Sequence, residues 1–152
     1  MQNTIIRTAT PKDMESVHSL IRELAVYEKA EKEHTCTVEQ LTEDGFGDQK
    51  VFDCIVAEKD NQVIGFALFY TSYSTWKGKC LYLEDFLVTE SMRGTGIGKL
   101  LFNEVLQIAK SRRVGRFEWQ VLDWNEPALN FYRKYNANLD GEWINGKIIF
   151  SD

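Results

Sequence analysis

The sequence is poor in the residues that build metal centres and disulfide frameworks. It has three cysteines, none in a C-x-x-C pair, and two histidines among 152 residues. A zinc site, a His-rich metal centre and a disulfide network are therefore not expected, and a reducing, cytoplasmic compartment fits this composition. No apolar run approaches the roughly 18 residues that a membrane span needs, and the first residues lack the pattern of a signal peptide.

An excess of positive charge is also missing. Lys and Arg total 18 against 23 for Asp and Glu, which gives a net charge of −5. Nucleic-acid binding usually requires the opposite sign, so no nucleic-acid partner is expected, whereas an acidic protein attracts cationic small molecules. The length and the hydrophobic fraction of 43% predict one folded domain over residues 1–152.

Strand-like and helix-like segments follow one another in the order β-α-α-β-β-β-α-β-α-β. Capping boxes at Thr10 and Thr37 predict the first two helix starts. The predicted strands cover residues 4–8, 52–58, 63–70, 81–88 and 116–122, and a closing strand-like segment covers 142–150, with a type I′ turn at Asn145-Gly146. This order predicts an α/β (α+β) fold in which one mixed sheet is flanked by helices.

A glycine-rich segment lies between the predicted strand 81–88 and the following helix. Its sequence is Arg93-Gly94-Thr95-Gly96-Ile97-Gly98. Several backbone N–H groups at the positive end of a helix would bind phosphate or pyrophosphate. The spacing matches neither a Walker loop nor the dinucleotide fingerprint, and a tight strand-to-helix turn without a ligand is the alternative interpretation.

Other candidate residues have two interpretations each when they are taken alone. Glu84 and Asp85 lie in an apolar strand and would, by default, form structural ion pairs. Because side chains alternate along a strand, only one of the two needs to face a ligand. Tyr132 lies in an aromatic-rich helix, where packing is its default role. His18 and His34 are interpreted as surface residues.

Taken together, these stretches resemble the GNAT acetyltransferases. The resemblance implies a mixed, mostly antiparallel central sheet flanked by helices. Residues 93–98 fit the R/Q-x-x-G-x-G/A signature of that superfamily, in the same strand-to-helix context. The chain is most similar to the spermidine/spermine (diamine) N-acetyltransferase group, and especially to its thialysine N-epsilon-acetyltransferase branch. The similar stretches cover most of the chain and lie at residues 22–28, 43–47, 82–85, 93–98 and 123–125.

The resemblance implies acetyl-CoA as co-substrate, no metal, and a homodimer. The residues that it implies for acetyl-CoA are Phe86, Leu87, Val88, Arg93, Gly94, Thr95, Gly96, Ile97, Gly98 and Asn125. It implies Tyr132 as the general acid for the leaving thiolate. An amine with a pKa near 10.4 is mostly protonated at neutral pH, and Glu84 is the candidate for removing that proton. The residues implied for the amine are Tyr27, Glu28, Trp76, Glu84 and Asp85.

Ser74 bears on the class of amine. Where the polyamine enzymes carry an aspartate, this chain has serine, as the thialysine branch does. The loss of one carboxylate weakens a site for a long polycation more than a site for a short amine. We therefore expect an enzyme that moves the acetyl group directly to the primary amine of a thialysine- or lysine-like amino acid or a diamine. The alternatives are a polyamine (spermidine/spermine) acetyltransferase, a protein-lysine acetyltransferase and a non-catalytic acyl-CoA sensor.

Overall fold

A computed structural model describes residues 3–150 of the chain. Five strands in this range form one sheet in the order β1-β2-β3-β4-β5. Neighbouring strands are antiparallel from β1 to β4, and β5 runs parallel to β4. The strands are β1 (Thr4–Thr8), β2 (Asp53–Lys59), β3 (Gln62–Ser74), β4 (Gly78–Val88) and β5 (Arg116–Trp119). The prediction of a mixed, mostly antiparallel sheet with helices is confirmed.

Four α-helices complete the described part of the chain. They are α1 (Met14–Tyr27), α2 (Val38–Phe46), α3 (Ile97–Ser111) and α4 (Glu126–Arg133). The two predicted starts are confirmed by their hydrogen bonds. Asp13 Oδ2 accepts from the Thr10 N–H at 2.7 Å, and Thr37 Oγ1 accepts from the Gln40 N–H at 3.1 Å. Within residues 3–150, no helix has both the length and the apolar character that crossing a membrane requires.

The chain divides into two compact units, the first ending at Gln120 and the second beginning at Val121. In the first unit, α1 and α2 pack on one face of the sheet. The hydrophobic core between these helices and the sheet includes Leu87 of β4. The neighbouring residue, Phe86, contacts Phe102 of α3 with ring centroids 5.9 Å apart. Because adjacent strand residues point to opposite faces, α3 lies on the other face of the sheet.

The predicted closing strand over residues 142–150 is wrong, because this stretch contains no helix or strand. Neither Asn145 nor Gly146 has the positive φ that a type I′ turn requires. The apolar side chains of the segment are exposed by 70–97%, and they are Trp143, Ile144, Ile148, Ile149 and Phe150. An apolar pattern produces a strand only where a neighbouring strand takes up its hydrogen bonds, and an isolated hairpin is marginal in water.

Candidate active site

A β-bulge in β4 lies at the centre of the candidate site. Leu68 of β3 pairs with Asp85, while the next residue, Phe69, pairs with Leu83. Glu84 is therefore the extra residue that a bulge inserts into one strand. It is exposed, whereas Asp85 is half-buried.

The bulge changes which side chains share a face of the sheet. On β3, Leu68 and Tyr70 are two residues apart and point to the same face. Their partners on β4, Asp85 and Tyr82, therefore also share a face although they are three residues apart. The expectation that simple alternation separates the two neighbouring carboxylates does not hold at a bulge.

Three carboxylates come together around this bulge. The pKa of Asp85 is raised to about 7, first by burial and then by the negative charges of Glu84 and Glu28. Burial also raises the pKa of Glu28, which directly follows the last residue of α1. Of the residues predicted for the amine, the fold thus brings Glu28, Glu84 and Asp85 together.

Two tyrosines on the same face were not predicted for the site. Their rings, Tyr70 of β3 and Tyr82 of β4, lie 5.4 Å apart. Burial, with the charge of Glu84 second, raises the pKa of Tyr82 to about 12. Burial also raises the pKa of Tyr70, followed by the charge of Glu84 and a hydrogen bond to it. Glu118 of β5 lies opposite Tyr82, and its negative charge also raises the pKa values of both tyrosines. In the sequence, Tyr82 lies two residues before Glu84, and side chains at this spacing on a regular strand share a face. This spacing could have indicated that Tyr82 belongs to the site.

The glycine segment has the geometry that its sequence predicts. Gly94 and Gly96 have φ values of +79° and +88°, which side chains with a Cβ rarely adopt. Gly96 is the N-cap residue of α3, and no side chain of the described residues caps this helix start. Residues 93–96 are exposed. The backbone N–H groups of the first turn of α3 therefore face an open surface, as an anion site requires.

The strand leading to this loop outlasts its neighbour. The ladder between β4 and β5 ends at the pair Leu83 and Trp119, while β4 continues to Val88. Its last five residues thus extend past the end of β5, beginning at Glu84. An extended ligand that continues the sheet would lie along Phe86–Val88, between the carboxylates and the glycine loop.

The predicted amine residues Tyr27 and Trp76 lie in different places. Tyr27 is the last residue of α1, and the guanidinium of Arg93 lies 5.4 Å from the centre of its ring. Trp76 is 86% exposed at the tip of the β3–β4 hairpin. The strand start at Gly78, next to this tip, is six residues from Glu84, or about 20 Å at ~3.3 Å per residue. Within one chain, the fold brings Tyr27, but not Trp76, towards the carboxylates.

Ser74 has a structural role in the same hairpin. Its Oγ accepts hydrogen bonds from the backbone N–H of Trp76 at 3.2 Å and of Lys77 at 3.0 Å. This arrangement satisfies the turn, as Ser, Thr and Asp side chains commonly do. The serine is therefore explained by the turn itself, independently of any substrate.

The second unit carries the two remaining predicted residues. Asn125 is the N-cap of α4, and its Oδ1 accepts from the Ala128 N–H at 3.4 Å. Tyr132, in the last turn of α4, is 7% exposed and stacks edge-on against Phe131 with centroids 5.5 Å apart. Their roles as cofactor ligand and general acid stay predictions.

The two histidines form a pair, which corrects their interpretation as surface residues. His18 of α1 donates through Nε2 to the Cys36 carbonyl at 2.9 Å. The centroids of the His18 and His34 rings lie 4.7 Å apart, and both His34 nitrogens are buried without a hydrogen-bond partner. Burial, followed by the charges of His18 and Arg22, lowers the pKa of His34. The pair escaped sequence reasoning because α1 and the segment before α2 meet only in the fold.

Comparison with known proteins places this geometry in a family. The model described as "Acetyltransferase (GNAT) family" matches residues 14–137. The chain belongs to the GNAT acetyltransferase family. The family that the sequence predicts is confirmed, and the chain is an acetyl-transferring enzyme of the GNAT type.

Two curated relatives are similar over most of the chain. Thialysine N-epsilon-acetyltransferase of Mus musculus is 38% identical over 145 residues, covering 90% of this chain and 85% of that protein. Spermidine/spermine N(1)-acetyltransferase-like protein 1 of Homo sapiens is 37% identical over 139 residues, covering 87% of this chain and 20% of that protein. A solved aminoglycoside acetyltransferase from an uncultured soil metagenomic sample has a TM-score of 0.78 at 19% identity, covering 98% of this chain and 97% of that one. This last likeness confirms the GNAT fold.

Proposed function

We propose that the chain moves an acetyl group from acetyl-CoA directly to the primary amine of a small cationic substrate, a thialysine- or lysine-like amino acid or a diamine. The observation that carries this proposal is the bulge at Glu84. It gathers Glu84, Asp85 and Glu28 at the point where the β4–β5 ladder ends. Negative charge for the amine and the stretch of β4 that extends past the end of β5 thus meet at one place.

The glycine loop fits the pyrophosphate of acetyl-CoA. Residues 93–96 are exposed, Gly94 and Gly96 have positive φ, and no side chain in the described part of the chain caps the start of α3, as close approach of a phosphate requires. In the proposal, the N–H groups of residues 94–98 hold the pyrophosphate, with Arg93 beside them, and Phe86–Val88 align the pantetheine arm. Acetyl-CoA supplies the acetyl thioester when it is bound.

The carboxylates bind the ammonium group and take up its proton. A general base works best when its pKa lies near the operating pH, and the pKa of about 7 makes Asp85 suited to this step. Glu84, the base that the resemblance implies, is the exposed partner next to it. We propose that the pair acts together, with Glu28 and Tyr27 forming the wall of the amine site at the end of α1.

Direct transfer also agrees with the placement of the Cys80 thiol. Cys80 is 1% exposed, and its Sγ lies 3.4 Å from the Gly78 carbonyl oxygen. A thiol buried in the sheet offers no attacking group for an acyl-enzyme. In the proposal Tyr132 protonates the leaving thiolate, Asn125 contributes to the cofactor site, and Trp76 reaches the amine site only through a second copy of the chain, which agrees with the predicted homodimer.

The amine class is decided by a panel assay. CoA release is measured with acetyl-CoA and, in turn, thialysine, lysine, putrescine, spermidine and spermine. We expect the highest kcat/KM with thialysine or lysine, and a large loss in Glu84→Gln but not in the exposed control Glu39→Gln. Preference for spermidine or spermine would replace the proposal by the polyamine activity. Silence with every amine, while acetyl-CoA still binds, would favour a protein-lysine substrate or an acyl-CoA sensor.

A further inference from the structure

The carboxylate of Glu23 on α1 holds the segment that leads into the glycine loop. Its Oε1 accepts from the Thr89 hydroxyl at 2.9 Å. Its Oε2 accepts from the Glu90 backbone N–H at 2.9 Å and from Arg93 Nη2 at 3.1 Å. One half-buried side chain thus binds three points of a loop that lies 66–70 residues further along the chain.

Arg93 is held on two further sides. Its Nε donates to the Val88 carbonyl at 3.0 Å, and its guanidinium lies over the Tyr27 ring at 5.4 Å. The arginine of the glycine motif therefore connects the end of β4, the loop and the end of α1. In this geometry the Arg93 side chain holds these three segments together, and the Glu23 carboxylate balances its charge.

We propose that Glu23 is a positioning residue for the acetyl-CoA loop, and the proposal rests on the proposed use of acetyl-CoA. Glycine loses more conformational freedom on ordering than other residues, so ordering Gly94 and Gly96 at the moment of binding would cost affinity. The three hydrogen bonds of Glu23 order its first residues in advance. The same contacts join the loop to the end of α1, where Tyr27 and Glu28 form the proposed amine wall.

The test compares Glu23→Gln with Glu15→Gln, an exposed glutamate on the same helix. Glutamine keeps the size of the side chain but loses the charge and one acceptor, so charge-assisted bonds weaken. We expect the Kd and the KM for acetyl-CoA to rise about tenfold in Glu23→Gln, while kcat at saturating acetyl-CoA changes less than about threefold. Glu15→Gln stays at the wild-type values. Thr89→Val, which removes one of the three bonds, gives a smaller rise in the same direction.

A double-mutant cycle with Arg93→Met tests whether Arg93 holds the loop in place together with Glu23 or binds the phosphate directly. If Arg93 acts with Glu23, the loss in Arg93→Met is much smaller in the Glu23→Gln background than in the wild type. Additive losses, or an unchanged Kd in Glu23→Gln with only a lower melting temperature, would overturn the positioning role. Wild-type protein that fails to bind acetyl-CoA would overturn the proposed function and this inference together, whereas wild-type binding with an unaffected Glu23→Gln overturns the inference alone.

Discussion

The raised pKa of Asp85 predicts how stability and activity depend on pH. The folded protein holds the Asp85 proton up to about pH 7, while an unfolded aspartate releases it near 3.8. Because the folded state binds this proton more tightly, Asp85 reduces the free energy of unfolding as pH rises from 3.8 to 7. The full effect of a shift of about 3 pKa units is about 4 kcal/mol, at 1.36 kcal/mol per unit.

Between pH 5 and pH 8 this linkage amounts to a loss of about 2–3 kcal/mol. Asp85→Asn removes the titrating group, so the stability of the variant relative to the wild type should rise by that amount over the same range. Urea unfolding, followed by tryptophan fluorescence at pH 5, 6, 7 and 8, measures it. Asp48→Asn, a change at an exposed aspartate, is the matched control and should follow the wild type.

The same group should appear in the kinetics. Below pH 7 a neutral Asp85 attracts the ammonium less and cannot accept its proton, so kcat/KM for the amine falls as pH drops. In Asp85→Asn the value should be low at all pH values and should lack the step near pH 7. An Asp85→Asn protein with the wild-type pH profile for both stability and kcat/KM would refute the reasoning from burial and neighbouring charge.

Three further predictions concern the loop, the second unit and the histidine pair. Gly94→Ala and Gly78→Ala both place a Cβ in open space at φ near +80°, so each should lose about 1–2 kcal/mol in unfolding free energy, but only Gly94→Ala should weaken acetyl-CoA binding in a calorimetric titration. Tyr132→Phe should lower kcat by about 10²–10⁴ while the Kd for acetyl-CoA is kept, whereas Tyr135→Phe, on a neighbouring tyrosine, should leave kcat unchanged; equal kcat values would remove the general-acid assignment. The pKa of His34 is lowered, so the fold favours the neutral ring, and the contribution of His34 to the unfolding free energy should fall as pH drops below about 6.5, opposite in sign to the contribution of Asp85. In urea titrations the unfolding free energy of His34→Gln relative to the wild type should therefore rise as pH drops, and a difference that does not change with pH would contradict the burial of the ring.

The glycine loop shows what can be predicted from sequence with little help from the fold. Its geometry depends on backbone angles that glycine reaches and other residues rarely do, and on the start of an amphipathic helix, both of which are local properties. The Thr10 and Thr37 caps and the strands β1 to β4 follow from patterns of the same short range. At Glu142–Phe150 such a pattern failed, because a strand needs a partner that no local pattern supplies.

The carboxylate cluster shows the opposite case. Alternation along β4 predicts that Glu84 and Asp85 diverge, and only the pairing with β3 reveals the bulge that brings them together. The raised pKa of Asp85 depends on that bulge and on Glu28, which lies more than 50 residues earlier in the chain. Similarly, Glu23 meets the glycine loop only because α1 packs beside the end of β4.

The sequence by itself determined the family, the sheet with its helices, and the glycine loop before α3, because these depend on residue types at short, regular spacings. The tertiary structure decided which carboxylate takes up a proton near neutral pH, that the two histidines are paired, and that Trp76 lies far from the carboxylates of its own chain. Each of these depends on strand register, on burial or on contacts between distant segments. These properties exist only in the folded chain, because electrostatic interactions depend on the distance between groups in space and not on their separation along the sequence.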